Sequence, residues 1–159
     1  MSYTISDLLE KLINIEESTL EIYNEIQINL ENKFKALDII IQSIKKEELK
    51  HIKYYENLKR ELENNSNEEI DFYLYDRVAK LLFEFKNQSN ISDVSNVQEL
   101  IRYAFECEKN NIALLIDIQG RLIQKEDDIN KKVYKIINDI IKEEREHEKM
   151  FEELIISKK

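Results

Sequence analysis

The sequence predicts an all-α protein: an antiparallel four-helix bundle of two helical hairpins, joined by a long crossover that contains a short extra helix. Three observations carry this reading. Apolar residues recur at coiled-coil spacing through four long segments. Proline is absent and Gly120 is the only glycine, so the punctuation of tight turns and β-hairpins is missing. Polar breaks are short within each pair of segments, whereas residues 64–95 separate the pairs and can run the length of a bundle. A chain of 159 residues is read as one domain, 1–159, with room for one core.

The first long helix is placed over residues 5–30, with Thr4 or Ser6 as N-cap and an inward stripe of Leu9, Leu12, Leu20, Tyr23, Ile26 and Leu30. The second covers 34–63 after the polar break "LENK", and its stripe is Ile41, Ile44, Tyr55, Leu58 and Leu62. Apolar positions 70, 74, 78, 81, 82 and 85 mark the shorter helix, which either covers the bundle or builds a dimer contact. The third long helix is expected over 96–124, with Ser95 and Gln98 as an S-x-x-Q capping box and Val97, Ile101, Ala104, Asn111 or Ile112, Leu115, Ile118 and Leu122 facing inward. The fourth, over 128–156 after "KEDD", presents Ile137, Ile140, Phe151 and Leu154. Abundant β-branched isoleucine and helix-neutral asparagine weaken intrinsic propensity, so packing must supply much of the helix stability.

Each stripe is interrupted by one glutamate: Glu16, Glu48, Glu108 and Glu144. The only two histidines of the chain, His51 and His147, each follow such a glutamate by three residues, on the same face one turn later. Glu17, Glu47, Glu106, Glu143 and Glu146 fall on other faces and read as solvated charge. Register supports a common level. The midpoint of Glu16 and Glu48 is position 32, within "LENK", and that of Glu108 and Glu144 is position 126, within "KEDD". Equal distance from an antiparallel turn means equal height, so the four carboxylates can meet.

Four carboxylates in an apolar interior are severely destabilising unless neutralised, and no lysine or arginine lies on the stripes near them. Two divalent cations balance four carboxylate charges with both histidines neutral. Carboxylate oxygen with imidazole nitrogen suits iron, and manganese accepts the same set. The pattern therefore points to a two-metal site formed by Glu16, Glu48, His51, Glu108, Glu144 and His147.

Composition limits the partners. A net charge of −9 disfavours nucleic acid and anionic membrane surfaces. No stretch approaches the roughly 20 apolar residues of a membrane span. The first residues, "MSYTISDLLEKLINIEES", lack a signal peptide's apolar region, and a cytoplasmic location is expected. The single cysteine, Cys107, forms no internal disulfide and no paired-cysteine metal knuckle; it lies beside Glu108 but off the inward face and reads as a small inert residue.

With one glutamate from each of the first and third long helices, and Glu-x-x-His from each of the second and fourth, the chain resembles the ferritin-like di-iron carboxylate proteins. It resembles especially the rubrerythrin di-iron domain, and the likeness spans nearly the whole chain. The resemblance implies a ferritin-like bundle holding two iron ions, with Glu48 and Glu144 bridging and Glu16 and Glu108 terminal. It also implies a role for Tyr23, seven residues after Glu16, as a hydrogen-bonding neighbour of the site. Tyr55, one turn beyond His51, reads instead as a core aromatic. The chain departs from the family where Asn111 stands in place of a second glutamate and Leu115 in place of a second tyrosine. Rubredoxin-like paired cysteines are also missing, so an electron donor would be a separate, rubredoxin-like protein.

The activity implied is that of a non-haem di-iron oxidoreductase reducing hydrogen peroxide, in protection against oxidative stress. A ferroxidase or iron-storage protein, using dioxygen, shares every ligand and is the alternative; a structural bundle with a degenerate site is the third reading. A homodimer or larger homo-oligomer is expected.

Overall fold

A computed structural model describes residues 3–30, 35–65, 68–88, 96–123, 126–127 and 131–157. Among them are five helices: α1 (Ile5–Leu30), α2 (Lys35–Asn64), α3 (Phe72–Gln88), α4 (Val97–Leu122) and α5 (Lys132–Ser157). Two short strands, β1 (Tyr3–Thr4) and β2 (Glu69–Ile70), pair antiparallel, with Tyr3 opposite Ile70 and Thr4 opposite Glu69.

Helix starts are set by side-chain caps. Thr4 Oγ1 accepts from the Asp7 amide at 3.3 Å, and Asp7 Oδ2 accepts from the Thr4 amide at 2.8 Å, a reciprocal box that satisfies two exposed N–H groups. Ser6 lies buried inside α1, so of the two candidate caps Thr4 is the one used. For α4 the cap is Asn96, whose Oδ1 accepts from the Glu99 amide at 2.9 Å. That places the cap one residue later than the expected Ser95–Gln98 box, and Ser95 itself lies outside the described residues. The crossover helix also begins later than its apolar spacing suggested. Ile70 pairs in β2, and Asp71 Oδ1 accepts from the Tyr73 amide at 3.3 Å, starting α3 at Phe72. Likewise α5 begins at Lys132 rather than 128. Positions 34, 124 and 128 lie outside the described residues, as do the side chains of Leu30, Leu74, Phe85 and Val97.

The strand pair fixes the topology. It ties the far end of α2 to the beginning of α1, and the Tyr3 ring stacks on Tyr75 at 3.7 Å between centroids to hold the start of α3 there as well. A 17-residue α3 rises about 25 Å, roughly two-thirds the length of the 26-residue α1. Leu100 and Ile101, early in α4, cluster with Ile26 of α1 and Leu37 of α2, so α4 starts beside the end of α1 and the start of α2. Hence α2 and α4 run one way and α1 and α5 the other. α1 packs on α2 and α4 on α5, while contacts of α1 with α4 and of α2 with α5 close the bundle. α3 lies against α1 and α4, burying Val78 and Leu82 in the core. Covering the bundle is one of the two expected roles for this segment. Ile15, off the predicted stripe of α1, is buried for that reason, facing a cavity shared with Leu82 and Ala79.

The core divides in two. One apolar cluster joins the first half of α1 to Tyr55 and Leu58 of α2, Leu115 and Ile118 of α4, and Ile137 and Ile140 of α5. The other joins Tyr23 and Ile26 to Leu37, Ile41, Ile44, Leu100, Ile101, Ala104 and Phe151. Each fully buried Leu or Ile contributes about 1.5–3 kcal/mol. Between the clusters lies a polar layer.

Candidate metal centre

That layer consists of Glu16, Glu48, His51, Glu108, Glu144 and His147, none more than 5% exposed, with Thr19 and Asn111 also buried. Helix geometry accounts for the gathering: each residue continues an apolar stripe, so packing the leucines and isoleucines on either side forces these groups inward. Glu17, Glu106 and Glu146 point to solvent, as their helical positions require.

The six groups interlock in two overlapping sets. Glu16, Glu48, His51 and Glu144 each offer one ligand atom within 4.8 Å of the others, and Glu48, Glu108, Glu144 and His147 do the same. Glu48 and Glu144 belong to both sets, and their oxygens divide accordingly. From His51 Nδ1, Glu144 Oε1 lies at 3.1 Å, Glu48 Oε2 at 3.5 Å and Glu16 Oε2 at 3.9 Å. From His147 Nδ1, Glu48 Oε1 and Glu144 Oε2 each lie at 3.6 Å and Glu108 Oε1 at 3.9 Å. Each shared carboxylate thus turns one oxygen to each imidazole, and the rings stand 6.5 Å apart.

These separations suit cations. Metal–ligand bonds of about 2.1 Å put neighbouring ligand atoms about 3 Å apart and opposite ones about 4.2 Å apart. Polar satisfaction gives an independent test. Glu16 Oε2, Glu108 Oε2, both oxygens of Glu48 and Glu144, and Nδ1 of both histidines have no hydrogen-bond partner among the described residues. A buried unsatisfied polar atom costs about 1–3 kcal/mol, so such a concentration fits groups arranged to hold metal ions.

Electrostatics without metal run through shared protons. Burial alone would push the His51 imidazole down, but the close carboxylates of Glu144, Glu16 and Glu48 outweigh it and hold the ring well above its ordinary range, as an imidazolium. Burial drives Glu48 up, reinforced by the charges of Glu16 and Glu144, and drives Glu108 up, reinforced by Glu144. Burial acts the same way on Glu144, yet Glu108, His147 and His51 around it win and keep it ionised.

Several neighbours complete the site. Tyr23, fully buried, donates its hydroxyl to Glu108 Oε1, and its ring stacks near-parallel to Phe151 at 6.4 Å. The phenol ties the first helix to a carboxylate of the third long one and fixes that side chain's rotamer. Glu143 corrects the sequence reading: its half-buried carboxylate Oε2 lies 2.5 Å from His51 Nε2 instead of standing in solvent. Glu47 joins it around that outer nitrogen while pairing with Lys50 at 3.0 Å. The signal for Glu143 is its place one turn before His147 on the α5 flank, meaningful only once α2 is known to pack on that flank. Cys107 stays off the inward face; burial pushes its thiol up to about 11, leaving it protonated and unreactive near neutrality.

In comparisons with known proteins, no family model, curated protein or solved structure matches the chain. Among the described residues, no helix is long and apolar enough to cross a membrane. The site therefore stands on its own geometry: buried glutamates and histidines that can hold metal.

Proposed function

We propose that the chain is a non-haem di-iron oxidoreductase of the rubrerythrin type that reduces hydrogen peroxide to water. The division of the Glu48 and Glu144 oxygens between two ligand sets carries this reading, because it favours a pair of ions over one. When bound, two ferrous ions supply one electron each, and with two protons these convert one hydrogen peroxide into two waters.

The chain's own residues do the rest. Glu16 and Glu108 close the two ends of the site, and Glu48 and Glu144 fix the spacing between them. Glu143 accepts from Nε2–H of His51, which leaves the Nδ1 lone pair facing inward for a metal. Tyr23 holds Glu108 in place. Apolar clusters above and below exclude bulk water. One cysteine supplies no redox pair, so electrons return from a separate donor protein, and the reading is of a soluble, cytoplasmic homo-oligomer.

Metal quantitation and stopped-flow oxidation test this. Two irons per chain are expected, about one in Glu16→Ala and neither in Glu144→Ala, since the latter belongs to both sets. Anaerobically reduced protein should be oxidised stoichiometrically by peroxide and faster than by dioxygen. Slow, non-stoichiometric reaction with peroxide beside rapid reaction with dioxygen would replace this reading with ferroxidase or storage chemistry, and a large hollow particle in light scattering would accompany storage.

A further inference from the structure

The polar layer is not symmetric. On the side toward the end of α1 and the start of α2 two polar neighbours of the cluster are paired: Tyr23 donates to Glu108, and the buried Thr19 hydroxyl donates to the Ile15 carbonyl at 3.0 Å. On the opposite side two buried residues stand without partners among the described residues. Asn111, 3% exposed, has no partner among the described residues for either Nδ2 or Oδ1. Tyr55, fully buried, has none for its hydroxyl.

Both lie on the same side of the carboxylates, Asn111 nearer and Tyr55 a turn farther along the bundle. α2 and α4 run in the same direction, so His51 and Asn111, three residues after Glu48 and Glu108, stand at one level, about 4.5 Å beyond the carboxylates. Tyr55 follows one turn further along α2. Packing explains neither polar group. Phe151 fills on α5 the place that Tyr55 fills on α2, four residues after the histidine, so a ring without a hydroxyl suffices there. A leucine has the shape of Asn111 without orphaned atoms.

We propose that Asn111 and Tyr55 form a hydrogen-bonding subsite for a small oxygen-donor molecule of the peroxide or water class, beside the metal pair on its Tyr55 side. This rests on the two-metal reading above. The carboxylates of the cluster only accept hydrogen bonds, whereas the amide offers two donors and an acceptor and the phenol one of each. A phenol is ordinarily protonated near neutrality, so the Tyr55 hydroxyl can donate. A molecule such as HO–OH, both donor and acceptor at each end, matches that inventory. Charge agrees: four glutamates already balance two dications, and a neutral amide at 111 leaves room for an incoming ligand, neutral or anionic, that a fifth carboxylate would repel.

Azide titrated into the iron-loaded, oxidised protein is the probe, followed by its charge-transfer absorption and by the azide stretch in water and in heavy water. Asn111→Leu and Tyr55→Phe should each weaken azide binding about tenfold, with metal content at the wild-type level. The heavy-water shift of the stretch, present in wild type, should shrink in both. Chelator-treated Asn111→Leu should also melt higher than wild type, because an orphaned amide is gone. Azide affinity within twofold of wild type in fully loaded Tyr55→Phe, or an unchanged heavy-water shift, overturns the subsite while leaving the metal centre standing; Tyr55→Phe decides alone if Asn111→Leu misfolds. Wild-type protein that takes up no iron overturns both.

Discussion

The His51 imidazole is clasped by two consecutive residues of α5: Glu143 Oε2 lies 2.5 Å from its Nε2, and Glu144 Oε1 lies 3.1 Å from its Nδ1. Successive helical side chains diverge by about 100°, so both reach one ring only because it stands edge-on between them. The inner carboxylate is shared by both ligand sets, and the outer one sets which nitrogen carries the proton.

Glu143→Ala should therefore weaken metal binding without emptying the site. Removal of such an outer partner typically lowers metal affinity about 10–100-fold. Competition against a chelator of known affinity measures this, and circular dichroism should show the helices unchanged. Wild-type affinity in Glu143→Ala would show that the ring is held by packing alone.

Tyr23→Phe should destabilise the metal-free protein by about 1–3 kcal/mol in urea denaturation, because Glu108 Oε1 then joins the other buried acceptors that lack a donor. Tyr55→Phe provides the contrast. Its hydroxyl has no partner among the described residues, so its removal should not lower stability. Equal losses in the two variants would contradict the distinction.

Much of the site was legible in the sequence because a regular helix converts spacing into direction. Glu-x-x-His within an apolar stripe needs no knowledge of neighbours to be read as inward, and register from the two turns set a common height. Glu143 shows where that method stops. It lies off the stripe, and whether a flank faces solvent or another helix depends on which helix packs there. The β1–β2 pair was illegible for a different reason: two residues on each side carry no periodicity, and Tyr3 is held by ring stacking on Tyr75. Fusion of the predicted stripes with further buried positions, such as Ile15, came from α3 covering the α1–α4 face.

Gly120→Ala should stabilise the protein. Gly120 lies within α4, and a Cβ built there meets nothing within 4 Å. Its carbonyl accepts from the Ile123 amide at 3.4 Å, a bond that alanine keeps. Reduced entropy of the unfolded chain should add about 0.5–1 kcal/mol, read as a higher melting temperature. A lower melting temperature would show that the end of α4 needs glycine.

Metal stabilisation should grow with pH, and the sign follows from which state holds the protons. In the metal-free fold, burial holds Glu48 and Glu108 above their ordinary value of 4.5, so each favours the folded state below that pH and loses its contribution as pH rises. His51, held above its ordinary 6.5 by its carboxylates against the pull of burial, acts in the same sense from that higher starting point. Glu144 is opposed: held low, its contribution is present above 4.5 and lost only as pH falls through its folded value. Above about pH 5 the metal-free protein therefore loses stability through Glu48 and Glu108, joined by His51 above its ordinary 6.5, with no offset from Glu144. Metal ions compete with those same protons and bind more tightly as they leave. Melting temperatures of iron-loaded and chelator-treated protein, measured in parallel at pH about 5.5, 7 and 8, should diverge steadily, and the difference cancels every titration outside the cluster. A gap that stays constant or narrows as pH rises would show that metal and protons do not compete for these carboxylates and imidazoles.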